Sequence, residues 1–163
     1  MNIRRFREGD EEALFRVFLS SVHGIASRNY TPAQVAAWAP ENADLRQWAI
    51  RIRLLQPFVV EIDGEIAGYA DIQPDGYIDH FYVSGHFSGQ GAGTLLMHRI
   101  HEEAALLGIK ALSSHVSKTA EPFFLHHGFY VVERQFPVRQ GVTLQNALMR
   151  KALDSVSSDH NRC

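Results

Sequence analysis

The sequence predicts a single α+β domain, and three observations carry that prediction. Apolar residues recur at helical spacing through the first third of the chain. β-type runs joined by tight turns fill the middle, and a glycine-rich segment at 85–93 opens into another amphipathic helix. A chain of 163 residues is about the size of one domain, and no repeat or linker divides it. Residues 1–152 are expected to form that domain. Residues 153–163, rich in Ser, Asp and Asn, are expected to form a flexible tail.

The elements follow in order. Ile3 and Phe6 mark a short strand over 2–6. Gly9-Asp10 offers an N-cap with Glu11 and Glu12 in the first turn, and Leu14, Phe15, Phe18, Leu19 and Val22 form a helical stripe over 11–22. Thr31-Pro32 has the cap-then-proline form of a helix start, and the short helix over 34–38 ends at Pro40. Leu45, Trp48, Ile52 and Leu55 define a helix over 43–55, stopped by Pro57. Strands over 58–62 and 65–72 flank Asp63-Gly64, a hairpin signal. Pro74-Asp75-Gly76 turns the chain into a strand over 77–83. A helix over 94–107 is capped by Gly108. A strand over 110–116 and a short helix over 119–127 follow, and strands over 129–136 and 143–151 close as a hairpin around Arg139-Gln140-Gly141.

Composition excludes several classes of function. Hydrophobic residues make up 45% and charged residues 21%, which is globular usage. No apolar run is long enough to span a bilayer. A net charge of −2 argues against a nucleic-acid or anionic-membrane partner. The lone cysteine, Cys163, leaves no internal disulfide and no Cys-based zinc site. The charged N-terminal segment lacks the apolar core of a signal peptide, so a cytoplasmic location is expected. Nine histidines raise the question of metal or acid–base chemistry.

The segment from Tyr77 to Leu96 is the most informative. A strand feeds a loop holding Gly89, Gly91 and Gly93, which opens into a helix. Glycines let several backbone N–H groups converge on an anion, and the helix N-terminus adds unpaired donors and partial positive charge. Such a site suits a phosphate without basic side chains. A Walker-type loop fails because Gly93 is followed by Thr94-Leu95, and a dinucleotide fingerprint fails at Leu96. A merely flexible turn is the plain alternative.

The surroundings resemble the acetyl-CoA-binding motif of the GNAT superfamily of N-acetyltransferases. Phe81-Tyr82-Val83 stands for the strand end, Gln90-Gly91-Ala92-Gly93 for the glycine turn, and the segment Ala120 to Phe129, with its aromatic pair and Gly-Phe, for the following block. Tyr30 to Trp38 resembles a segment common in one group of small bacterial members. The resemblance implies a mixed, mostly antiparallel sheet of about seven strands, flanked by about four helices and splayed at its central strands. It implies transfer of acetyl from acetyl-CoA to a primary amine, on a small molecule or a peptide, with no metal; members are often homodimers. Cofactor contacts are implied at Phe81, Tyr82, Val83, Ser88, Gly89, Gln90, Gly91, Ala92, Gly93, Thr94, Ser117, Ala120, Phe123 and Phe124. Two departures stand out. The residue that usually opens the glycine motif as Gln or Arg is Ser88, with Gln90, Gln73 and His86 as substitutes. The usual tyrosine acid is Phe124, which cannot give a proton; that leaves a non-catalytic CoA-binding sensor as the alternative.

The chemistry needs a neutral amine above all, since an alkyl amine of pKa about 10.4 is neutral only about one part in 10³ at pH 7. In members of the family the base sits four or six residues before this valine, at Asp79 or Tyr77 here. Strand alternation puts Tyr77, Asp79, Phe81 and Val83 on one face and Ile78, His80 and Tyr82 on the other. Asp79 is therefore the first choice, Tyr77 a relay, and His80 a competitor that needs a bulge to reach the same side. Tyr30 and Trp38, with Trp48 beside them, are expected to wall the acceptor pocket. Asp71, Asp75 and Asp79 suggest a site that attracts a cationic amine. His98 and His101 read as a solvated helix face, His126-His127 as helix-end residues, and His23 and His115 as structural.

Overall fold

A computed structural model describes residues 1–153 of the chain; the tail expected from 153 onward lies, but for its first residue, outside the described residues. Its strands are β1 (Asn2–Arg5), β2 (Phe58–Ile62), β3 (Glu65–Ala70), β4 (Tyr77–Ile78), β5 (Phe81–Val83), β6 (Ala111–Ser117), β7 (Tyr130–Gln135), β8 (Val138–Arg139), β9 (Val142–Thr143) and β10 (Asn146–Ala152). The helices are α1 (Glu11–Gly24), α2 (Pro32–Trp38), α3 (Leu45–Leu55), α4 (Ala92–Leu107) and α5 (Glu121–His126).

Two four-stranded sheets result, in the orders β1-β2-β3-β5 and β4-β6-β10-β7, with β8 and β9 forming a separate ribbon. β4 pairs with β6 in parallel, and the other pairings are antiparallel. The strand expected over 77–83 is thus broken: its first two residues belong to one sheet and its last three to the other. The break is the splay. It also corrects the expected alternation, as the site geometry shows.

Period-two burial divides the core. Phe58, Val60 and Ile62 of β2 pack with Leu96, Met97 and Ile100 of α4, while Val59 and Tyr69 pack with Leu14, Phe18 and Val22 of α1. Gly68 of β3 lies where α4 crosses closely: a Cβ there would stand 3.0 Å from Tyr82 O and 3.3 Å from Leu96. Thr31 and Gln34 form a reciprocal capping box on α2, and the Asp44 carboxylate accepts from Arg46 and Gln47 N–H at the start of α3. Asp10 departs from its expected capping role. It lies in helical conformation, and its carboxylate accepts from the two terminal guanidinium nitrogens of Arg4, at 2.8 and 3.1 Å, and from Arg7 N–H.

Gly76 fixes the turn between the sheets. Its φ is +88°, and an added Cβ would meet the Ala111 carbonyl oxygen at 2.1 Å. Gly108, the α4 cap, has φ +70° but open space around it. We expect Gly76→Ala to cost roughly 3 kcal/mol or more and Gly108→Ala about 1 kcal/mol, read from urea midpoints. Equal losses would show that the Ala111 contact imposes nothing.

Candidate active site

The site begins with one buried carboxylate. Asp71 follows β3, is fully buried, and accepts through Oδ1 from the backbone N–H of Asp79 (3.0 Å) and His80 (2.6 Å). Its Oδ2 accepts from Gln73 Nε2 at 2.6 Å. The backbone resumes on either side, with Asp71 N–H donating to His80 O and Gln73 N–H to Tyr77 O. A side chain thus receives the two N–H groups that a ladder would otherwise pair, and the chain between β4 and β5 kinks around it. Burial pushes the Asp71 carboxyl from its usual 3.8 up to about 6, against the lowering effect of these donors.

Below the break, β5 is an edge strand, with β6 across a gap. The gap is a cavity of about 540 Å³ lined by Phe81, Tyr82, Val83, Ser88, Gly89, Gly91, Ala92, Gly93, Thr94, Ser117, Ala120, Phe123 and Phe124, among others. No lining residue carries a charge. Gly91 caps α4 at φ +90°, and the first bond of that end is Leu95 N–H to Gly91 O, so the preceding N–H groups are orphan donors at the cavity mouth. A Cβ on Gly93 would stand 3.3 Å from the Phe123 ring. An edge strand, an apolar slot and a cluster of backbone donors fit an extended thioester carrier ending in phosphates. Gln90 is exposed beside the slot, and Gln73 donates to Asp71. Phe123 and Phe124 both line the slot and pack on Phe81 at centroid distances of 5.5 Å.

A second cavity, of about 290 Å³, lies on the α1–α3 side. Phe18, Tyr30, Trp38, Trp48 and Tyr82 wall it, and Tyr77, Asp79, His80, His115, Arg51 and Arg139 supply its polar groups. Trp38, Tyr82 and Ser117 border both cavities. Asp79 and His80 therefore share one cavity, contrary to the alternation expected for an unbroken strand; the kink at Asp71 removes the parity. Phe81 and Val83 face the slot instead. The Asp79 carboxylate accepts from Arg51, Asp75 accepts from Tyr77 N–H at 3.0 Å, and Asp71 is spent on backbone. Of the expected acidic set, only Asp79 lines this cavity.

His80 is the telling side chain. Its Nδ1 lies 2.9 Å from the Tyr69 hydroxyl, and Tyr69 is fully buried with no other hydrogen-bond partner among the described residues. A buried hydroxyl left without an acceptor costs about 1–3 kcal/mol, so Tyr69 O–H donates to Nδ1 and the ring hydrogen resides on Nε2. Burial first, with Arg51 adding and Asp79 opposing, pushes the His80 pKa from 6.5 down to about 4. His80 is a neutral donor toward the cavity, not a free base. His115, expected to be structural, also lines this cavity, with Nδ1 2.7 Å from the Tyr77 hydroxyl. Tyr30 is held by donating to Gln145 O and accepting from Lys118 N–H at 2.9 Å.

The other histidines stand apart. His23 Nε2 lies 2.8 Å from Ala39 O. His101 engages both ring nitrogens, Nδ1 with Met97 O (2.7 Å) and Nε2 with Lys151 Nζ (2.9 Å), which withdraws it from the expected solvated face. Among the described residues no group of three His, Cys, Asp or Glu side chains is placed to hold a metal. Tyr69, Arg51 and Arg139, which adjoin or line this cavity, are not singled out by the sequence, and Asp71, expected as one of an acidic set, serves as a backbone acceptor. No local pattern separates a strand-end aspartate or a turn arginine from a solvated one.

Comparison with known proteins agrees with this geometry. The family described as "Acetyltransferase (GNAT) domain" matches residues 26–153. The N-acetyltransferase YafP of Escherichia coli K12, described as uncharacterized, is 29% identical over 150 residues, covering 92% of this chain and 95% of YafP. A GCN5-related N-acetyltransferase from Rhodopseudomonas palustris superposes with a TM-score of 0.88 at 26% identity, covering 93% of this chain and 95% of that one. YncA of Salmonella typhimurium, solved with its cofactor acetyl-CoA, has the same fold at a TM-score of 0.68 and 23% identity, covering 95% of each chain.

Two outcomes follow from the buried pair of side chains. The folded Asp71 pKa lies above its unfolded value, so its contribution to stability is full below about pH 4 and is lost as pH rises through 6. Asp71→Asn removes that titration. Urea unfolding at pH 4 and pH 7 should therefore show the wild type losing roughly 2–3 kcal/mol relative to the variant across the interval. A difference that does not change with pH contradicts the assignment. Nitrogen-15 spectra should find the His80 hydrogen on Nε2 in the wild type and divided between both nitrogens in Tyr69→Phe. Hydrogen on Nδ1 in the wild type would reverse the tautomer.

Proposed function

The chain belongs to the GNAT family of acetyltransferases, and from that premise we propose that it transfers acetyl from acetyl-CoA to a primary amine by direct attack. One observation carries the reading: an uncharged slot along a free strand edge and an aromatic, polar cavity meet at Trp38, Tyr82 and Ser117. Two reactants entering from opposite sides join there.

In this reading the first-turn N–H groups of α4 receive the pyrophosphate of acetyl-CoA, with Ser88 and Thr94 beside them. The edge of β5 pairs with the pantetheine amides as an added strand would. Acetyl-CoA supplies an activated acyl group, and the backbone N–H at Val83 meets the negative charge that develops on the acyl oxygen. Phe123 and Phe124 exclude water from the slot. The amine enters past Tyr30, Trp38 and Trp48. Asp79, oriented by Arg51, takes its proton directly or through one water, with Tyr77 and His115 as neighbours able to relay it. His80 donates from Nε2 and helps hold the acceptor. The desolvation that depresses His80 also disfavours an ammonium, so binding itself favours the neutral, nucleophilic amine.

Phe124 gives no proton to the departing sulfur. A thiol of pKa about 8.5 leaves tolerably as thiolate, so solvent suffices at that step. The missing hydroxyl is also what would suit a CoA-binding sensor, and kinetics separate the two readings. Thiol should be released only when acetyl-CoA and an amine are both present. Asp79→Asn should lower kcat/KM about 10²-fold while the Kd for acetyl-CoA holds. Tight acetyl-CoA binding with no turnover across a broad amine panel would instead favour the sensor. Full activity in Asp79→Asn would remove the carboxylate from the mechanism.

A further inference from the structure

The polar groups of the acceptor cavity are unequal in sign. Three ionised side chains line it: Arg51, Arg139 and Asp79. Asp79 is the partner of Arg51. Arg139 has no carboxylate partner among the described residues. His80 is neutral and turns a donor toward the same space, as Tyr69 dictates. Among the described residues the cavity thus carries one cation without a carboxylate partner, in a protein whose net charge is −2.

The backbone that carries Arg139 is tied down. It lies at the end of β8, in the ribbon closed by Leu144 N–H donating to Pro137 O at 2.8 Å. Gln34 Nε2 of α2 donates to Thr143 O at 3.1 Å, and the Tyr30 hydroxyl donates to Gln145 O. These two bonds tie the return of the ribbon to α2 and to Tyr30, and the exposed Arg139 side chain lines the mouth of the cavity. Its charge is felt at the Tyr82 hydroxyl, where it opposes the burial that pushes that pKa up to about 12.

We propose that the acceptor is an amine that also carries an anionic oxygen group, a carboxylate or a phosphate, which Arg139 receives while the amine end lies toward Asp79. The inference rests on the acetyltransferase reading for the identity of the amine end. It rests on the cavity alone for the anion. A zwitterionic acceptor reproduces the charge pattern of the wall that receives it: ammonium or amine toward the carboxylate, anion toward the free guanidinium. An amine without an anion leaves Arg139 unanswered.

The test uses matched pairs offered to the full chain with acetyl-CoA: amino acids against their carboxamides, and phosphoethanolamine against ethanolamine. The anionic member of at least one series should have a kcat/KM about 10-fold or more above its neutral partner, through KM. The series that responds identifies carboxylate or phosphate. Arg139→Ala should shrink that ratio about 10-fold, and Arg139→Glu should invert it. Quenching of the fluorescence of Trp38 and Trp48 by the same compounds reads the preference without turnover. Neutral members equal to or better than anionic ones, or a ratio unmoved by Arg139→Ala, would overturn the inference and leave the acetyltransferase reading intact. Selective quenching by anionic amines with no thiol release would do the opposite.

Discussion

Everything at this site depends on two backbone N–H groups that leave the sheet and find the Asp71 carboxylate. A strand that stayed in register from Tyr77 to Val83 would pair along its whole length and leave no gap beside β6. Asp71 offers Asp79 and His80 a substitute acceptor inside the protein, so the chain can leave one sheet after Ile78 and join the other at Phe81. Without it, two donors would lie buried and unpaired at a cost of about 1–3 kcal/mol each. The carboxylate is itself desolvated, and the three donors around it keep its pKa near 6 rather than far higher. One side chain therefore stabilises the break that produces both the free edge of β5 and the shared cavity.

The same break assigns roles to neighbours in sequence. Phe81 and Val83 point into the apolar slot, while His80 and Tyr82 point toward α1, where Phe18 packs on Tyr82 at 4.9 Å and on Trp48 at 5.2 Å. Tyr69, the residue of β3 paired with Tyr82, reaches His80 and decides which of its nitrogens carries the hydrogen. Burial then keeps the ring neutral. Three consecutive consequences, a kink, a tautomer and a depressed pKa, turn a histidine with the ideal intrinsic pKa for a base into a donor. Asp79, one residue earlier and about 24% exposed, gives one oxygen to Arg51 and keeps the other without a hydrogen bond among the described residues.

Much of this was legible in the sequence. The helical stripes of α1, α3 and α4 and the Asp63-Gly64 turn specify their elements through short-range periodicity and turn chemistry, and the glycine spacing located the slot because backbone geometry is written in glycine positions. Strand parity failed at Asp79 because alternation presumes a continuous ladder, and nothing in Tyr77-Ile-Asp-His-Phe announces that a residue six to nine positions earlier will interrupt it. Asp71 looked like one of three acids and proved to be a structural acceptor. His115 and Arg139 come to the cavity from β6 and from the β8–β9 ribbon, distant in sequence, so only tertiary packing reveals them. Local rules reach as far as the element; the contents of a cavity between elements lie beyond them.

The division of charge between the two cavities also follows from backbone physics. The slot has no ionised side chain, and its capacity for a polyanion comes from orphan N–H groups at the first turn of α4. These donors are fixed by the helix and do not titrate, so the proposed phosphate recognition there asks nothing of net charge, and a chain at −2 can carry it. The ionised side chains Arg51, Asp79 and Arg139 line the second cavity instead, on elements separate from the glycine turn. Under the proposed function, this fold separates cofactor recognition, held by backbone, from acceptor recognition, held by side chains on α3, on the strand break and on the ribbon.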